Sequence, residues 1–289
     1  MMPQQPDSVT CGACQHRPAS RIGSATLYVH EGSLPDTLWR CPECGTYIRG
    51  LDFDDPIVQT HFEVASYTDP QREQQLLESR IGFFEHIAAL ALPPGQAAET
   101  QPQVLDVGPA YGHLLDIFRK KGADGSAIEI VDRLSAKLRE RGITTYRSAG
   151  QIPDNVRFDI ITIIDSLYCL QSPADTLRML RNHLATDGIL ILRVTNRAPL
   201  LDILRLLNRP ITNSLVGDAK HNFSFPGIAR LLSDTGFSVE RVVLNERGKR
   251  IARLKTWLYY KCSLAASKIT GLKLTPGMIL VCRGVPTRE

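Results

Sequence analysis

No apolar run in the 289-residue sequence approaches the roughly 18 residues that span a bilayer. The opening MMPQQPDSVT carries no charged segment leading into an apolar one, so no secretory signal is read and a cytoplasmic location is expected. Internal repeats and low-complexity tracts are missing, which excludes a solenoid or a fibrous chain. Charge of one sign is scarcely in excess. The balance of 34 Lys and Arg against 30 Asp and Glu leaves +4, too little by itself to argue for nucleic acid. The G-x-G-x-x-G spacing of a pyrophosphate-binding turn is absent as well. What remains is an ordinary globular composition, 43% apolar and 22% charged, long enough for one large domain or two smaller ones.

Cysteine is locally dense. Cys11 and Cys14 in CGAC and Cys41 and Cys44 in CPEC give C-x2-C-x26-C-x2-C, while Cys169, Cys262 and Cys282 stand alone. In a reducing compartment such pairs read as a metal site before they read as disulfides. Four thiolates on two tight turns suit a closed tetrahedral Zn2+ site, with no position left for catalysis. His16 and His30 are then unnecessary as ligands. The ion is expected to fold a small module.

The chain divides into a zinc ribbon over 1–50, a helical connector and linker over 51–102, and an α/β domain over 103–289. In the connector, Leu76, Leu77, Ile81, Phe84, Ile87, Ala88 and Leu92 recur at helical intervals. PPGQAAETQP breaks that pattern. From Gln103, apolar runs alternate with amphipathic ones: QVLDVG, HLLDIFRKKG, SAIEIV, DRLSAKLRERG, ITTYR, RFDIITIID, PADTLRMLRNHLATDG and ILILRVTN. Runs apolar on both faces mark strands covered by helices on both sides, hence a doubly wound parallel sheet. APLLDILRLL and PGIARLLSDTGF predict two more helices, the second with a glycine stop. SVERVVL and GMILVCRG predict two more strands.

In doubly wound sheets a ligand sits at the carboxyl ends of strands where the winding reverses. The turn in VLDVGPAYGHLL suits a ligand that needs close backbone approach and carries no phosphate. Glu129, near the end of the next strand, is placed to accept both ribose hydroxyls of an adenosine.

Together, VLDVGPAYGHLL, AIEIV and RFDIITIIDSLYCLQSPADTLRMLRNHLATDGILILRVTN resemble the class I S-adenosylmethionine-dependent methyltransferases, over roughly residues 75–243 and the C-terminal strands. The resemblance implies a Rossmann-like seven-stranded sheet with the last strand antiparallel. It also implies S-adenosyl-L-methionine as cofactor. Asp106, Gly108, Ala110 and Gly112 would line its methionine end and Glu129 its ribose. Ser148 and the Ala149 backbone would face adenine, and Asp165 would lie beside the methyl donor. The family's middle glycine is replaced by Ala110, which is tolerated if its φ is negative, since only a positive φ would demand glycine. The family's acid–histidine pair after the fourth strand is Tyr168-Cys169 here, which removes a base at that spot. Cys169 is expected to be a pocket wall rather than a nucleophile.

A zinc ribbon ahead of this domain resembles a group of bacterial sugar and natural-product methyltransferases, as does Tyr67 after the second cysteine pair. DAKHNFSFPGI is similar to that group's acceptor loop, making His221 the candidate base. Lys220 stands where the group has glutamate, which favours O-methylation over C-methylation. The expected acceptor is a sugar, nucleotide-sugar or natural-product or polysaccharide intermediate. Between Arg241 and Lys273 nine Lys or Arg meet one acid, Glu246. That segment suits an anionic acceptor, such as a nucleotide diphosphate or lipid-linked sugar, and peripheral membrane contact. An RNA methyltransferase is the alternative. It is disfavoured because the ribbon carries three Arg against three acids between Cys11 and Cys44 and lacks basic–aromatic interleaving. A binding module without chemistry is the third reading.

Overall fold

The computed structural model describes residues 6–16, 19–29, 32–56, 58, 70–93, 100–248 and 254–285. His30 and Tyr67 lie outside them. The strands are β1 (Ser20–Val29), β2 (Gly32–Arg40), β3 (Tyr47–Arg49), β4 (Gln103–Val107), β5 (Asp124–Ile128), β6 (Thr144–Tyr146), β7 (Phe158–Ile164), β8 (Leu184–Thr195), β9 (His221–Asn222), β10 (Phe237–Val243) and β11 (Gly277–Gly284). The helices are α1 (Pro70–Ala91), α2 (His113–Lys120), α3 (Asp132–Glu140), α4 (Pro173–Asn182), α5 (Ala198–Leu206), α6 (Asn213–Val216), α7 (Phe225–Asp234) and α8 (Leu254–Thr270). None of these helices is long and apolar enough to cross a membrane.

Seven strands form one sheet in the order β10-β11-β8-β7-β4-β5-β6. β4 pairs in parallel with β5 and β7, β5 with β6, and β7 with β8. β11 is reversed, antiparallel to both β8 and β10. This is the expected methyltransferase-type sheet. Successive side chains alternate between two buried faces. Leu105, Ile161, Leu190 and Leu280 join one core with Leu177 of α4 and Leu231 of α7. Val104, Ile160, Ile191 and Ile279 join the other with Phe83 and Ile87 of α1 and Leu114 and Phe118 of α2.

The predicted helix from Pro173 stops at Asn182 rather than near Gly188, and β8 begins at Leu184. Leu184 is drawn into register with Phe158 of β7, so sheet pairing overrides a helical local pattern. The helix after the acceptor-loop motif starts as its residues dictate. The Ser224 hydroxyl accepts from Gly227 N at 3.0 Å, and Pro226 follows in the first turn.

The ribbon is a four-stranded sheet, β1-β2-β3-β9, and its last strand comes from the segment following β8. Ile48 pairs with His221 and Tyr47 with Asn222. The core of the large sheet runs without a break into the ribbon through Phe223, Ile48, Trp39 and Cys41. Ser224 also donates to the Cys44 carbonyl. Arg49 and Asp36, with side chains 1% and 0% exposed, form an ion pair at 2.9 Å. Arg49 adds bonds to the Gly217 carbonyl at 2.5 and 3.1 Å, tying β3 to the loop ahead of β9. Removing one partner of a buried pair leaves the other charge uncompensated. Arg49→Ala is therefore expected to lower unfolding stability by about 3–5 kcal/mol in urea titration; an unchanged midpoint would show that the pair ties nothing together.

Candidate cofactor site and cysteine centre

The sheet order reverses beside β4: β5 and β6 lie on one side of it, β7 and β8 on the other. The carboxyl ends of β4, β5 and β7 open there onto a cavity of about 590 Å3. Its wall includes Asp106, Gly108, Ala110 and Glu129 from the first two strands and their turns, and Asp165 and Tyr168 after β7. Arg80 and Phe84 of α1 close the opposite side.

The turn after β4 alternates in hand. Gly108, Ala110 and Gly112 have φ of 73°, 52° and 78°. Gly108 has a second reason to lack a side chain, because a Cβ would stand 2.7 Å from that of Ser166. At Gly112 a Cβ would stand 2.6 Å from the Leu138 side chain. At Ala110 the condition for an unstrained alanine is not met: its φ is positive, the conformation of the glycine it replaces. An L-residue pays roughly 1–2 kcal/mol there. The Ala110 amide helps to hold it by bonding to the Glu129 carboxylate.

Glu129 follows β5 and is 5% exposed, with Oε1 accepting from Val131 N at 2.9 Å. Burial raises its pKa and backbone amides oppose the rise. Asp106 is buried on β4 and accepts from the Thr162 hydroxyl at 2.7 Å. Burial pushes its carboxyl up to about 7, Thr162 holds it down, and Glu129 pushes it further up. A cationic ligand in the cavity would favour the ionised form of both groups.

Asp165 follows β7 with φ of 62°. Its carboxylate bonds to Arg193 on one oxygen and to Arg80, at 3.0 Å, on the other. Arg193 in turn grips Glu246 with two bonds, at 2.6 and 3.2 Å. Burial would lower the Arg193 pKa, but the two carboxylates outweigh it and the guanidinium is held above its ordinary value. Arg80 and Arg193 were not singled out in the sequence, and Glu246 only as the one acid of the basic segment. The available signal was Arg193 itself, a lone charge inside the apolar run ILILRVT.

Ser148 and Ala149 are not among the cavity-lining residues; the preceding Arg147 is. His221 is also absent from this wall. It lies on β9 against the first cysteine turn, so that a Cβ on Gly12 would stand 2.5 Å from its ring. Burial first, and then Lys220, push its imidazole down to about 3. So placed, the imidazole is held in its neutral form. His221 and Lys220 instead border a second cavity of about 680 Å3 beside the ribbon, which shares Gln171 with the first. Cys169 lines the first cavity, and burial raises its thiol to about 12, in keeping with a wall residue.

The four ribbon cysteines are buried, and their sulfurs all lie within 4.8 Å of one another. Cys11 Sγ is 3.6 Å from Cys44 Sγ, and Cys14 Sγ is 3.4 Å from Cys41 Sγ. A tetrahedron with metal–sulfur bonds of about 2.3 Å needs sulfur separations of about 3.8 Å. The two turns are built alike: Gln15 N and Gly45 N each bond back to the first cysteine carbonyl, and both residues have positive φ. The set could hold a four-coordinate thiophilic cation.

The crevice and its acid-rimmed turn define an S-adenosylmethionine-dependent methyltransferase. The chain belongs to a methyltransferase family: the family model described as a methyltransferase domain matches residues 77–242, more than half of its length. No curated protein matches it in sequence. Among solved structures, it is similar to an S-adenosylmethionine-dependent methyltransferase from Clostridium acetobutylicum ATCC 824 (11% identity, 75% of this chain and 99% of that one, TM-score 0.51). It is similar to the plantazolicin methyltransferase BpumL in complex with SAH (13%, 80% and 92%, 0.52). A third is the magnesium protoporphyrin IX methyltransferase of Synechocystis PCC 6803 with bound SAH (15%, 80% and 100%, 0.50). At these identities the likeness is one of fold.

Ala110→Gly should remove the left-handed penalty and raise stability by about 1 kcal/mol in urea unfolding. A loss of stability would mean that the alanine methyl contributes packing that outweighs the strain.

Proposed function

We propose that the protein transfers a methyl group from S-adenosylmethionine to an oxygen of a small molecule, such as a sugar, nucleotide-sugar or other natural-product or polysaccharide intermediate. The observation that carries this reading is the convergence of Asp106, Gly108, Ala110, Glu129 and Asp165 on one cavity at the switch point of the sheet. The plantazolicin and magnesium protoporphyrin IX methyltransferases, named for their acceptors, share the fold.

When bound, the cofactor supplies a methyl carbon already activated by a sulfonium. The chain's task is therefore alignment and exclusion of water. Asp106 and the Gly108–Gly112 turn hold the methionine end, with Gly112 at the start of α2. Glu129, fixed by backbone amides, takes the ribose. Arg147, with Ser148 and Ala149 behind it, borders the adenine. Asp165, clamped by Arg193 and Arg80, places a negative charge beside the methyl donor. The acceptor enters from the second cavity, so that His221 and Lys220 face it rather than the cofactor. Burial holds Lys220 down at about 8, with Asp36, Asp52 and Asp54 opposing the fall.

Residues 1–50 form a structural module around one Zn2+ held by Cys11, Cys14, Cys41 and Cys44. Residues 51–102 connect it to the catalytic domain of residues 103–289, lending α1 as a wall. The protein works in the cytoplasm on a small molecule, not on nucleic acid.

Isothermal calorimetry should show binding of both S-adenosylmethionine and its demethylated product. Glu129→Gln should weaken that binding by roughly 10- to 100-fold, the scale of a hydrogen bond to a charged group. Equal affinity in the variant would remove Glu129 from the ribose, and no binding by the parent would overturn the cavity's assignment. Metal analysis should return one zinc per chain. Cys41→Ala should lose that zinc and melt at lower temperature, because metal binding and folding of such a module are linked. Full zinc retention in Cys41→Ala would refute the four-cysteine centre.

A further inference from the structure

α8 is inside out. A surface helix normally turns its apolar stripe inward and its polar face to water. Here the buried positions are Tyr260, Ser263 and Ser267. Leu254, Trp257, Leu258 and Ile269 stand 69%, 43%, 47% and 85% exposed. Leu254, Leu258, Cys262, Ala265 and Ile269 fall at i, i+4, i+8, i+11 and i+15, one stripe along a helix about 25 Å long.

The outward orientation is pinned from within. The Tyr260 hydroxyl accepts from Glu246 N at 3.0 Å and reaches the Leu244 carbonyl at 3.3 Å. Rotating the helix to hide its apolar stripe would break those bonds beneath the Arg193 clamp.

The charges on α8 are of one sign. Lys255, Lys261 and Lys268 are exposed and the helix carries no acid. Lys261 Nζ lies 5.7 Å from the centre of the Trp257 ring, beside the stripe. A second copy of this chain docked through the same face would set lysine against lysine, because a two-fold contact is self-complementary. A membrane surface with anionic lipids accepts both features, the apolar side chains below the headgroups and the ammonium groups among them.

We propose that the outer face of α8 seats the protein on anionic bilayers, lying in the interface without crossing it. This does not depend on the identity of the methyl acceptor. The test is sedimentation of the full-length protein with phosphatidylcholine vesicles and with vesicles that also contain phosphatidylglycerol. The protein should pellet with the anionic vesicles alone, be released by high salt, and shift its tryptophan emission to the blue as Trp257 enters the interface. Reversing the three lysines (K255E, K261E and K268E together) should weaken binding by at least on the order of a hundredfold, since the loss of each lysine alone removes roughly fivefold. Leu258→Asp with Ile269→Asp should abolish the emission shift. Unaltered cofactor affinity would show that these variants are folded. The proposal fails if anionic vesicles do not retain the protein or if lysine reversal leaves retention unchanged. It also fails if the protein is a dimer in solution that Leu258→Asp dissociates, which would give the face to a second copy.

Discussion

The turn that leaves β4 has to reverse the chain within five residues while keeping its backbone open to a ligand. It does so by placing a left-handed residue at every second position, 108, 110 and 112. That alternation brings Gly108 against Ser166 after β7 and lets the Ala110 amide reach Glu129 after β5. Three strand ends are thereby drawn to one point. The cavity, its acids and the start of α2 all follow from this single bend, and so does the strain that Ala110 carries in a glycine's place. Strained backbone of this kind persists where its surroundings over-determine it; the Glu129 contact is one such restraint.

A second constraint comes from the far side of the sheet. Asp165 is also left-handed, and its two oxygens are taken by Arg80 from α1 and Arg193 from β8. Glu246 holds the opposite side of Arg193, and Tyr260 of α8 holds the backbone of Glu246. Elements far apart in sequence are thus linked to the cavity by charge-assisted bonds in a dry interior, where such bonds are strong only if every member is paired.

The ribbon is not an appendage. His221 and Asn222 give it a fourth strand, Ser224 bonds to the second cysteine turn, and the apolar core passes through both parts. The same arrangement sets His221 outside the cofactor cavity. Its place in β9 buries the ring against Gly12, where a neutral imidazole is favoured. The similar loop motif located the segment along the chain but carried no information about which sheet would capture it.

The strand and helix alternation and the cysteine tetrad were legible in the residues alone, through apolar periodicity and ligand spacing. The antiparallel last strand and the places of Asp106 and Asp165 came only with the resemblance to the methyltransferases, which also supported the reading of Glu129 as an acid at a strand end. The sequence could not decide the sign of φ at Ala110, the capture of His221 by the ribbon sheet, the early start of β8 at Leu184, or the clamp of Arg80, Arg193 and Glu246. Nor did the composition of residues 254–270 reveal that Ser263 and Ser267 would face inward and Leu254 and Leu258 outward. These outcomes depend on which distant segments share an interface. A burial cost or an unpaired charge exists only once the chain has brought its partners together.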